Sequence, residues 1–430
     1  MRRYESAPRF LYYLFTYGKN TRLETPRLLA IQEKKMRAMV RYAYDNVPFY
    51  HKLLNAINVK PTEIKTVNDL KRLPIISRRQ VQENYASIIS REFNPAKCAK
   101  HKTSGSTGVP LTVLTDYRTL EPSWAVSLRQ FFESGGRLLD KQVRLRGPGG
   151  NPPHAGARPF SEHIGIFRTE WVTIVDEISD AVLSFLKAYK PDVMIGYPGF
   201  FQLLSEKTRG ELSPRIIFCM GETLSSRCRA LMGSAFEART FDSYGCTETG
   251  DIAWECPDEH AGYHINIDSV IVEFINEGES VAPGEEGEIV LTYLFNHAMP
   301  FIRYKIGDVG VPIEEQCSCG RTLPLMRSIK GRADDFIVLP DGRKVSPLGI
   351  LNMENFAGVS EYRIIQEKRD LIEVWLKMPE HYSDDSVKKC VSALRRSLGE
   401  GVQIKPRIVE EIPRDNSGKL RRVISKVANC

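Results

Sequence analysis

The chain has no run of about 18 consecutive apolar residues, which is the length that a membrane-spanning helix needs. Aromatic residues cluster at positions 10–15, but this patch is too short for the core of a signal peptide, and no small-residue cleavage site follows it. We therefore expect no membrane span and a cytoplasmic location. The patch suits a helix that packs onto the protein body better than it suits a membrane contact.

The chain also has no dense basic tract and no regular pattern of cysteines. The formal net charge of +7 comes from 60 Lys and Arg against 53 Asp and Glu, and the excess is spread along the chain. This pattern predicts no nucleic-acid partner and is compatible with an anionic small molecule. The nine cysteines are odd in number and unevenly spaced. They indicate buried thiols or metal ligands rather than a disulfide framework.

The 430 residues are too many for one simple core, and the pattern of the chain changes several times. Helix formers with helically spaced apolar positions dominate the opening segment. Strand-like and helical stretches then alternate from residue 99 to about 240, which predicts α/β layers with parallel strands. Strands with acidic turns follow, and the last hundred residues read as a separate α+β unit.

We therefore predict an α/β protein with a large N-terminal domain and a small, mobile C-terminal α+β domain. The predicted boundaries are 1–331 for the large domain, about 1–95 for its helical opening segment, about 251–331 for its β-rich subdomain, and 332–430 for the small domain.

No Walker A motif is present, but a loop rich in hydroxyl groups and glycine precedes an alternating, strand-like run. Glycines allow close approach to an anion, and clustered hydroxyls with backbone N–H groups can surround phosphate oxygens. An ordinary surface turn has a similar composition. The candidate phosphate-binding residues are Thr103, Ser104, Gly105, Ser106, Thr107 and Gly108.

A second segment, 242–250, contains an aromatic ring, a glycine, a hydroxyl and a carboxylate, all of which suit a nucleotide pocket. Tyr244 could stack on a base and Gly245 permits close approach. Glu248 is the candidate Mg²⁺ ligand, since that ion prefers oxygen donors. A solvated turn at a strand end is the alternative reading.

Three further segments carry single candidates. Asp308 lies in a glycine-flanked turn, where its carboxylate can accept two ribose hydroxyl hydrogen bonds. Arg332 could reach a nucleotide, and Asp334 lies where the composition changes. Lys419 lies on a polar, glycine-containing loop and could bring a positive charge to a phosphate ester.

The order and spacing of these five segments resemble the adenylate-forming superfamily of acyl-CoA synthetases and adenylation domains, in the branch of phenylacetate-CoA ligase and CapK. The resemblance covers nearly the whole chain and implies an acyl-CoA synthetase-like fold. It also implies a two-step reaction. ATP and a small, aromatic or otherwise compact carboxylic acid form an acyl-adenylate, and a thiol, most simply coenzyme A, then displaces AMP.

By the same resemblance, the hydroxyl loop would hold the β- and γ-phosphates, and Gly221 and Glu222 would line the adenine and acyl pocket. Tyr244 would stack on adenine, Thr247 would contact the α-phosphate, Glu248 would bind Mg²⁺, Asp308 and Arg332 would bind the ribose, Lys419 would be catalytic, and Asp334 would be the hinge. Residues 339–344 depart from the pattern of larger ligases, so coenzyme A contacts cannot be carried over. Compact relatives suggest a homodimer.

A structural zinc site is a separate prediction. Cys317 and Cys319 form a Cys-x-Cys-Gly turn, and Cys256 and His260 are four residues apart. Three thiolates and one imidazole complete a closed tetrahedral Zn²⁺ site. We prefer His260 to the alternative His264, which lies in an apparent strand and could face the substrate pocket. Unrelated cysteines are the competing interpretation.

Two other functions remain open. One is an adenylyltransferase or CapK-like envelope-polysaccharide enzyme that adenylates without coenzyme A. The other is a regulator that binds nucleotide without turnover, although the presence of Glu248 and Lys419 argues against it.

Overall fold

The computed structural model describes residues 7–103, 111–147, 168–174, 178–208, 210–258, 262–332, 337–345, 359–379, 382–399, 401–414 and 420–427. Its opening segment is helical, as predicted. The helices are α1 (Ala7–Asn20), α2 (Thr25–Asn46), α3 (Pro48–Ala56), α4 (Arg78–Glu83) and α5 (Tyr85–Ile88), with 3₁₀ turns at Pro61–Glu63, Val67–Arg72 and Pro95–Lys97.

The opening helices pack onto the body through one apolar face each. In α2 the buried residues Leu28, Met36 and Val40 recur at helical spacing, which gives the helix a single core-facing stripe. In α1 the ring of Phe10 stacks on Trp124, with ring centroids 4.8 Å apart. The aromatic patch therefore packs on the body, although Phe15 on its outer face is exposed.

A hairpin and one twelve-stranded sheet follow. The hairpin pairs β1 (Ala99–Lys102) with β2 (Thr112–Thr115) in antiparallel fashion. The sheet has the order β11-β10-β12-β13-β14-β9-β8-β7-β6-β5-β3-β4. Its strands are β3 (Gln142–Arg146), β4 (Thr169–Thr173), β5 (Val193–Gly196), β6 (Ile216–Met220), β7 (Arg239–Cys246), β8 (Gly250–Glu255), β9 (Tyr263–Ile265), β10 (Val270–Asn276), β11 (Glu279–Ser280), β12 (Gly287–Tyr293), β13 (Tyr304–Ile313) and β14 (Leu325–Arg332).

Strand direction divides this sheet into two halves. Strands β3 to β7 are all parallel to their neighbours, whereas pairing from β7 onward to β11 is antiparallel. The strand-rich region after residue 250 therefore continues the same sheet. Helices α6 (Tyr117–Glu133), α7 (Asp180–Tyr189), α8 (Pro198–Thr208) and α9 (Ser226–Phe236) accompany the parallel half. The predicted α/β class is confirmed.

The C-terminal residues form a small sheet with a separate apolar core. Strands β17 (Glu361–Lys368), β18 (Leu371–Lys377), β19 (Gln403–Ile408) and β20 (Val423–Ser425) pair in the order β19-β18-β17-β20. Helix α10 (Asp384–Leu398) covers the sheet with Cys390, Leu394 and Leu398, and a short hairpin of β15 (Ile337–Val338) and β16 (Lys344–Val345) precedes it. None of the helices in the described ranges is long and apolar enough to cross a membrane.

Candidate functional site

The site lies at the carboxyl end of β7, where the parallel half of the sheet meets the antiparallel half. The phenol of Tyr244 donates a 2.8 Å hydrogen bond to Oδ2 of Asp308 on β13. Gly245 is required locally, because a Cβ there would lie 2.6 Å from the carbonyl oxygen of Gly250 across the hairpin. Gly245 and Gly250 approach each other closely because β7 turns back into β8 immediately afterwards.

Glu248 lies in this hairpin turn, and its side chain is buried. Its Oε1 accepts a 3.1 Å hydrogen bond from the hydroxyl of Tyr304, the first residue of β13. Burial, and then the Glu248 charge, raise the pKa of the Tyr304 phenol far above its usual range, so this hydroxyl remains a donor. Thr247, the neighbouring candidate, is exposed.

A buried acidic residue, Asp242, forms hydrogen bonds next to the hairpin. Asp242 on β7 accepts a 2.6 Å hydrogen bond from the Tyr263 hydroxyl, and its backbone N–H donates to Glu255 at 2.8 Å. Burial is the main reason why the pKa of Asp242 is raised to about 7. The nearby Arg229 makes two contacts of 2.9 and 2.8 Å with the Glu255 carboxylate.

The ends of the hydroxyl-rich loop are fixed to each other. The backbone N–H of Thr103 donates to the Leu111 carbonyl at 3.0 Å, and the Leu111 N–H donates to Oγ1 of Thr103 at 2.9 Å. Arg78, at the start of α4, donates a 2.5 Å hydrogen bond to the same hydroxyl. Strand β13 reaches this region through Ile76, whose N–H donates to the Arg303 carbonyl at 2.8 Å. Residues Ser104, Gly105, Ser106, Thr107 and Gly108 lie outside the described residues.

The remaining candidate site residues belong to segments that follow or flank strands of the same sheet. Gly221 follows β6 with a φ of 72°, in the left-handed region that favours glycine. Next to it, Oε1 of Glu222 accepts a 2.8 Å hydrogen bond from the backbone N–H of Leu420. Lys419 lies outside the described residues, but the residue after it thus contacts the large domain. Arg332 pairs in register with Asp308 on the neighbouring strand, and only its backbone is described; Asp334 lies outside the described residues.

A cluster of three cysteines and one histidine lies at the end of β8 that is opposite the Glu248 turn. The potential ligand atoms of Cys256, His264, Cys317 and Cys319 all lie within 4.8 Å of one another. The sulfurs of Cys256 and Cys317 are 3.6 Å apart, and His264 Nε2 is 3.4 Å from Cys319 Sγ. A tetrahedral zinc with Zn–S bonds of about 2.3 Å separates its sulfur ligands by about 3.8 Å, so the cluster fits this ion.

His264 is prepared for this role by its surroundings. Its Nδ1 lies 3.4 Å from the Leu323 carbonyl, and a proton on Nδ1 leaves the lone pair of Nε2 directed at the cluster. Burial lowers the pKa of the imidazole to about 4, so the ring is neutral near pH 7. The idea that His264 could face a substrate pocket is wrong, because β9 orients it toward the cysteines. The preferred ligand His260 lies outside the described residues.

Comparisons with known proteins agree with this architecture. Residues 166–293 match the family model of AMP-binding enzymes, and residues 337–426 match the CapK C-terminal domain. The chain is 26% identical to phenylacetate-coenzyme A ligase of Thermus thermophilus, covering 94% of this chain and 97% of that protein, and 22% identical to CapK of Staphylococcus aureus, covering 93% and 90%. The predicted resemblance to the phenylacetate-CoA ligase and CapK branch of the adenylate-forming superfamily is confirmed.

A solved structure of the adenylate-forming type shares the fold over nearly the full length. It is a 2-hydroxyisobutyryl-CoA ligase in the postadenylation state, with a TM-score of 0.79, 19% identity, and coverage of 95% of this chain and 91% of that one. The predicted family and the acyl-CoA synthetase-like fold are confirmed.

Several contacts of this candidate site were not predicted from the sequence. They are the hydrogen bonds from Tyr304 to Glu248, from Tyr244 to Asp308, and from Arg78 to Thr103. Arg303, which directly precedes Tyr304, has a structural function, since its guanidinium forms a buried ion pair with Glu273 at 2.9 Å. No local signal in the sequence marks these pairs, because each joins residues at least 25 positions apart.

Proposed function

We propose that this protein is an AMP-forming acid–thiol ligase that adenylates a small, aromatic or otherwise compact carboxylic acid with ATP and then transfers the acyl group to coenzyme A. The strongest support is that four segments of the chain meet near the carboxyl ends of the central strands β6 and β7. The Tyr244–Asp308 and Glu248–Tyr304 hydrogen bonds join two of them, Arg78 and Thr103 lie at the start of the hydroxyl loop, and Leu420 brings the C-terminal loop to Glu222.

In this proposal each part has a chemical role. The hydroxyl loop from Thr103 to Gly108 holds the β- and γ-phosphates, Tyr244 and Gly245 contact the adenine, and Asp308 and Arg332 bind the ribose hydroxyls. Gly221 and Glu222 line the adenine and acyl pocket. Mg²⁺ supplies charge neutralisation at the phosphates, and the buried carboxylate of Glu248, which has the hard oxygen donors that this ion prefers, would hold it.

The first half-reaction needs positioning and charge neutralisation rather than a protein nucleophile. A substrate carboxylate oxygen attacks the α-phosphorus, the bond to the bridging oxygen breaks, and pyrophosphate leaves. Lys419 and Thr247 stabilise the negative charge on the α-phosphate. In the second half-reaction the thiol sulfur attacks the acyl carbon, the thiol proton is lost, and AMP leaves. Asp334 is proposed as the hinge between the two arrangements.

The cysteine and histidine cluster has a structural role in the proposal. Zn²⁺ held by Cys256, Cys317, Cys319 and an imidazole has four protein ligands, so no position is left for a substrate. The cluster would link β8 and β9 to the loop after β13, at the opposite end of β8 from the turn that carries Glu248. The imidazole we propose is now His264, because its Nε2 lies among the sulfurs.

One observation favours a second candidate. The match of residues 337–426 to the CapK C-terminal domain is compatible with an enzyme of envelope-polysaccharide synthesis that adenylates without coenzyme A. A non-catalytic nucleotide-binding regulator is the remaining alternative. A homodimer and a cytoplasmic location remain predictions.

Pyrophosphate release with a panel of compact aromatic and aliphatic acids, measured with and without coenzyme A, separates these functions. Acid-dependent release with formation of an acyl-CoA supports the ligase. Acid-dependent release with AMP transfer to a non-thiol acceptor supports the second candidate. Nucleotide binding without release under any condition contradicts both enzymatic assignments.

A further inference from the structure

The carboxylate of Glu222 joins the two domains of the chain. It lies two residues after β6, at the carboxyl end of the parallel strands. Its Oε2 accepts a 3.1 Å hydrogen bond from the backbone N–H of Gly199, in the first turn of α8, and its Oε1 accepts the 2.8 Å bond from Leu420. One carboxylate thus bridges the large domain and the residue that directly follows Lys419.

Other contacts between α8 and the small domain surround this bridge. Nε2 of Gln202 donates a 3.0 Å hydrogen bond to the Ser360 carbonyl. A Cβ on Gly199 would lie 2.8 Å from Nη1 of Arg414, whose other terminal nitrogen pairs with Glu361 at 2.6 Å. Arg414 and Leu420 lie on either side of residues 415–419 in the sequence, and both contact the large domain, Arg414 beside Gly199 and Leu420 at Glu222.

We infer that Glu222 is a positioning residue, which holds Leu420, the residue directly after Lys419, against the large domain for adenylation and releases it when the small domain moves for thioester formation. This inference rests on the proposed two-step function and adds to the pocket-lining role of Glu222. The two hydrogen bonds differ in what a domain movement would do to them. The bond to Gly199 lies within the large domain and persists, whereas the bond to Leu420 crosses between domains and breaks.

The Gly199 bond therefore orients the carboxylate in advance, so that Oε1 is ready to accept the Leu420 N–H whenever the small domain returns. A hydrogen bond to an ionised acceptor is stronger than one between neutral groups, and its loss corresponds to about a tenfold to hundredfold change in an equilibrium. Since Leu420 adjoins Lys419, this bond favours the arrangement in which the lysine can reach the α-phosphate.

The test compares Glu222→Ala and Glu222→Gln with Glu211→Gln as the matched control. Glu211 precedes β6 and forms an exposed ion pair with Lys187, which also belongs to the large domain. We expect Glu222→Ala to slow pyrophosphate release about 10-fold to 100-fold, with kcat falling more than the KM for ATP rises. Thioester formation from supplied acyl-adenylate and coenzyme A should fall much less than adenylation, and Glu222→Gln, which keeps one acceptor oxygen, should have an intermediate effect.

Equal losses in both half-reactions, a large rise in the KM for ATP, or no loss in adenylation would overturn the inference. A second measurement does not depend on any activity. Hydrogen–deuterium exchange of the peptide that contains Leu420 should be about tenfold faster in Glu222→Ala than in wild type and unchanged in Glu211→Gln. Unchanged exchange overturns the inference even if the wild-type protein is a ligase. Absence of pyrophosphate release in the wild-type protein overturns the proposed function and this inference with it, whereas unchanged exchange in an active enzyme overturns the inference alone.

Discussion

Tyr244 and Asp308 lie 64 residues apart in sequence, yet the phenol of the first donates a 2.8 Å hydrogen bond to the carboxylate of the second. The bond joins the last parallel strand of the sheet to an antiparallel strand four positions away in the strand order. It fixes the ring proposed to contact adenine relative to the carboxylate proposed to bind the ribose, so both would meet one nucleoside in a defined geometry.

Removing this phenol should weaken nucleotide binding. Tyr244→Phe keeps the ring but leaves Oδ2 of Asp308 without this donor, and we expect the Kd for ATP to rise about 5-fold to 10-fold. Titration calorimetry with ATP and Mg²⁺ measures the change. Tyr12→Phe, at an exposed position on α1, should leave the Kd unaltered. An unchanged Kd in Tyr244→Phe would contradict a nucleotide at this position.

The Tyr304 hydroxyl should matter for metal-dependent turnover. Tyr304→Phe removes the donor to Oε1 of the buried Glu248, so the carboxylate loses a fixed orientation. We expect a higher Mg²⁺ concentration for half-maximal pyrophosphate release and about a tenfold lower maximal rate. Tyr50→Phe also removes a buried hydroxyl, which donates to the Pro300 carbonyl and accepts from the Ile302 N–H but does not bond to Glu248. If both variants shift the Mg²⁺ dependence alike, the assignment of Glu248 is wrong.

Lys419 should separate the two half-reactions. Lys419→Ala leaves the charge on the α-phosphate uncompensated, and we expect adenylation to fall on the order of 100-fold or more. Thioester formation from supplied acyl-adenylate should fall much less. Rapid-quench measurement of each step tests this, with Lys426→Ala as the control, because Lys426 forms an ion pair with Glu367 at the surface of the small domain. Equal losses in both steps would argue against the role of Lys419.

The choice between two histidines can be tested by metal content. We expect about one zinc ion per chain, lost together with more than about 5 °C of Tm in His264→Asn and retained in His260→Asn. Mass spectrometry of the metal content and thermal unfolding provide the two measurements. Cys390→Ser, in the core of the small domain, should destabilise the chain without loss of zinc. Zinc loss in His260→Asn alone would restore the original preference.

Asp242 should give the protein a distinct pH dependence. Burial raises its pKa to about 7 from an ordinary value of 3.8, so between these values the folded chain binds more protons than the unfolded chain. Its contribution to stability is therefore present at low pH and is lost as the pH rises toward and through 7. Relative to wild type, Asp242→Asn should gain free energy of unfolding between pH 5 and 7, by at most about 1.4 kcal/mol per pH unit.

Chemical denaturation at several pH values measures this difference. Asp45→Asn, at a half-exposed position of α2, should show no such relative gain. A constant difference between Asp242→Asn and wild type across this range would show that Asp242 is already ionised in the folded protein.

Local pattern predicted the parts of the fold that depend on neighbours in sequence. The predicted helical opening segment corresponds to α1 to α5, and the predicted alternation of strands and helices up to about residue 240 corresponds to β3 to β7 with α6 to α9. The continuity of β8 to β14 with the parallel strands could not be predicted in this way, since hydrogen-bond partners across a sheet are set by tertiary packing.

The same limit explains which features of the site were missed. Residue types and spacing indicated Tyr244, Glu248 and Asp308, because stacking on a base, binding Mg²⁺ and binding ribose hydroxyls each require a particular type of side chain. The donors Tyr304 and Arg78 were missed, since their partners are 56 and 25 positions away. The orientation of His264 depends on its register opposite Leu325, which no local spacing specifies.

The small sheet draws its apolar core entirely from residues 337–423, whereas the main cores are built from residues before 327. Few side chains are therefore shared between the core of the small sheet and the main cores, and each can stay folded while the other unfolds. Damage to the small sheet should leave the proposed nucleotide site folded but without the proposed contribution of Lys419. If the proposed function is correct, such a chain would still bind ATP but would not convert it to AMP.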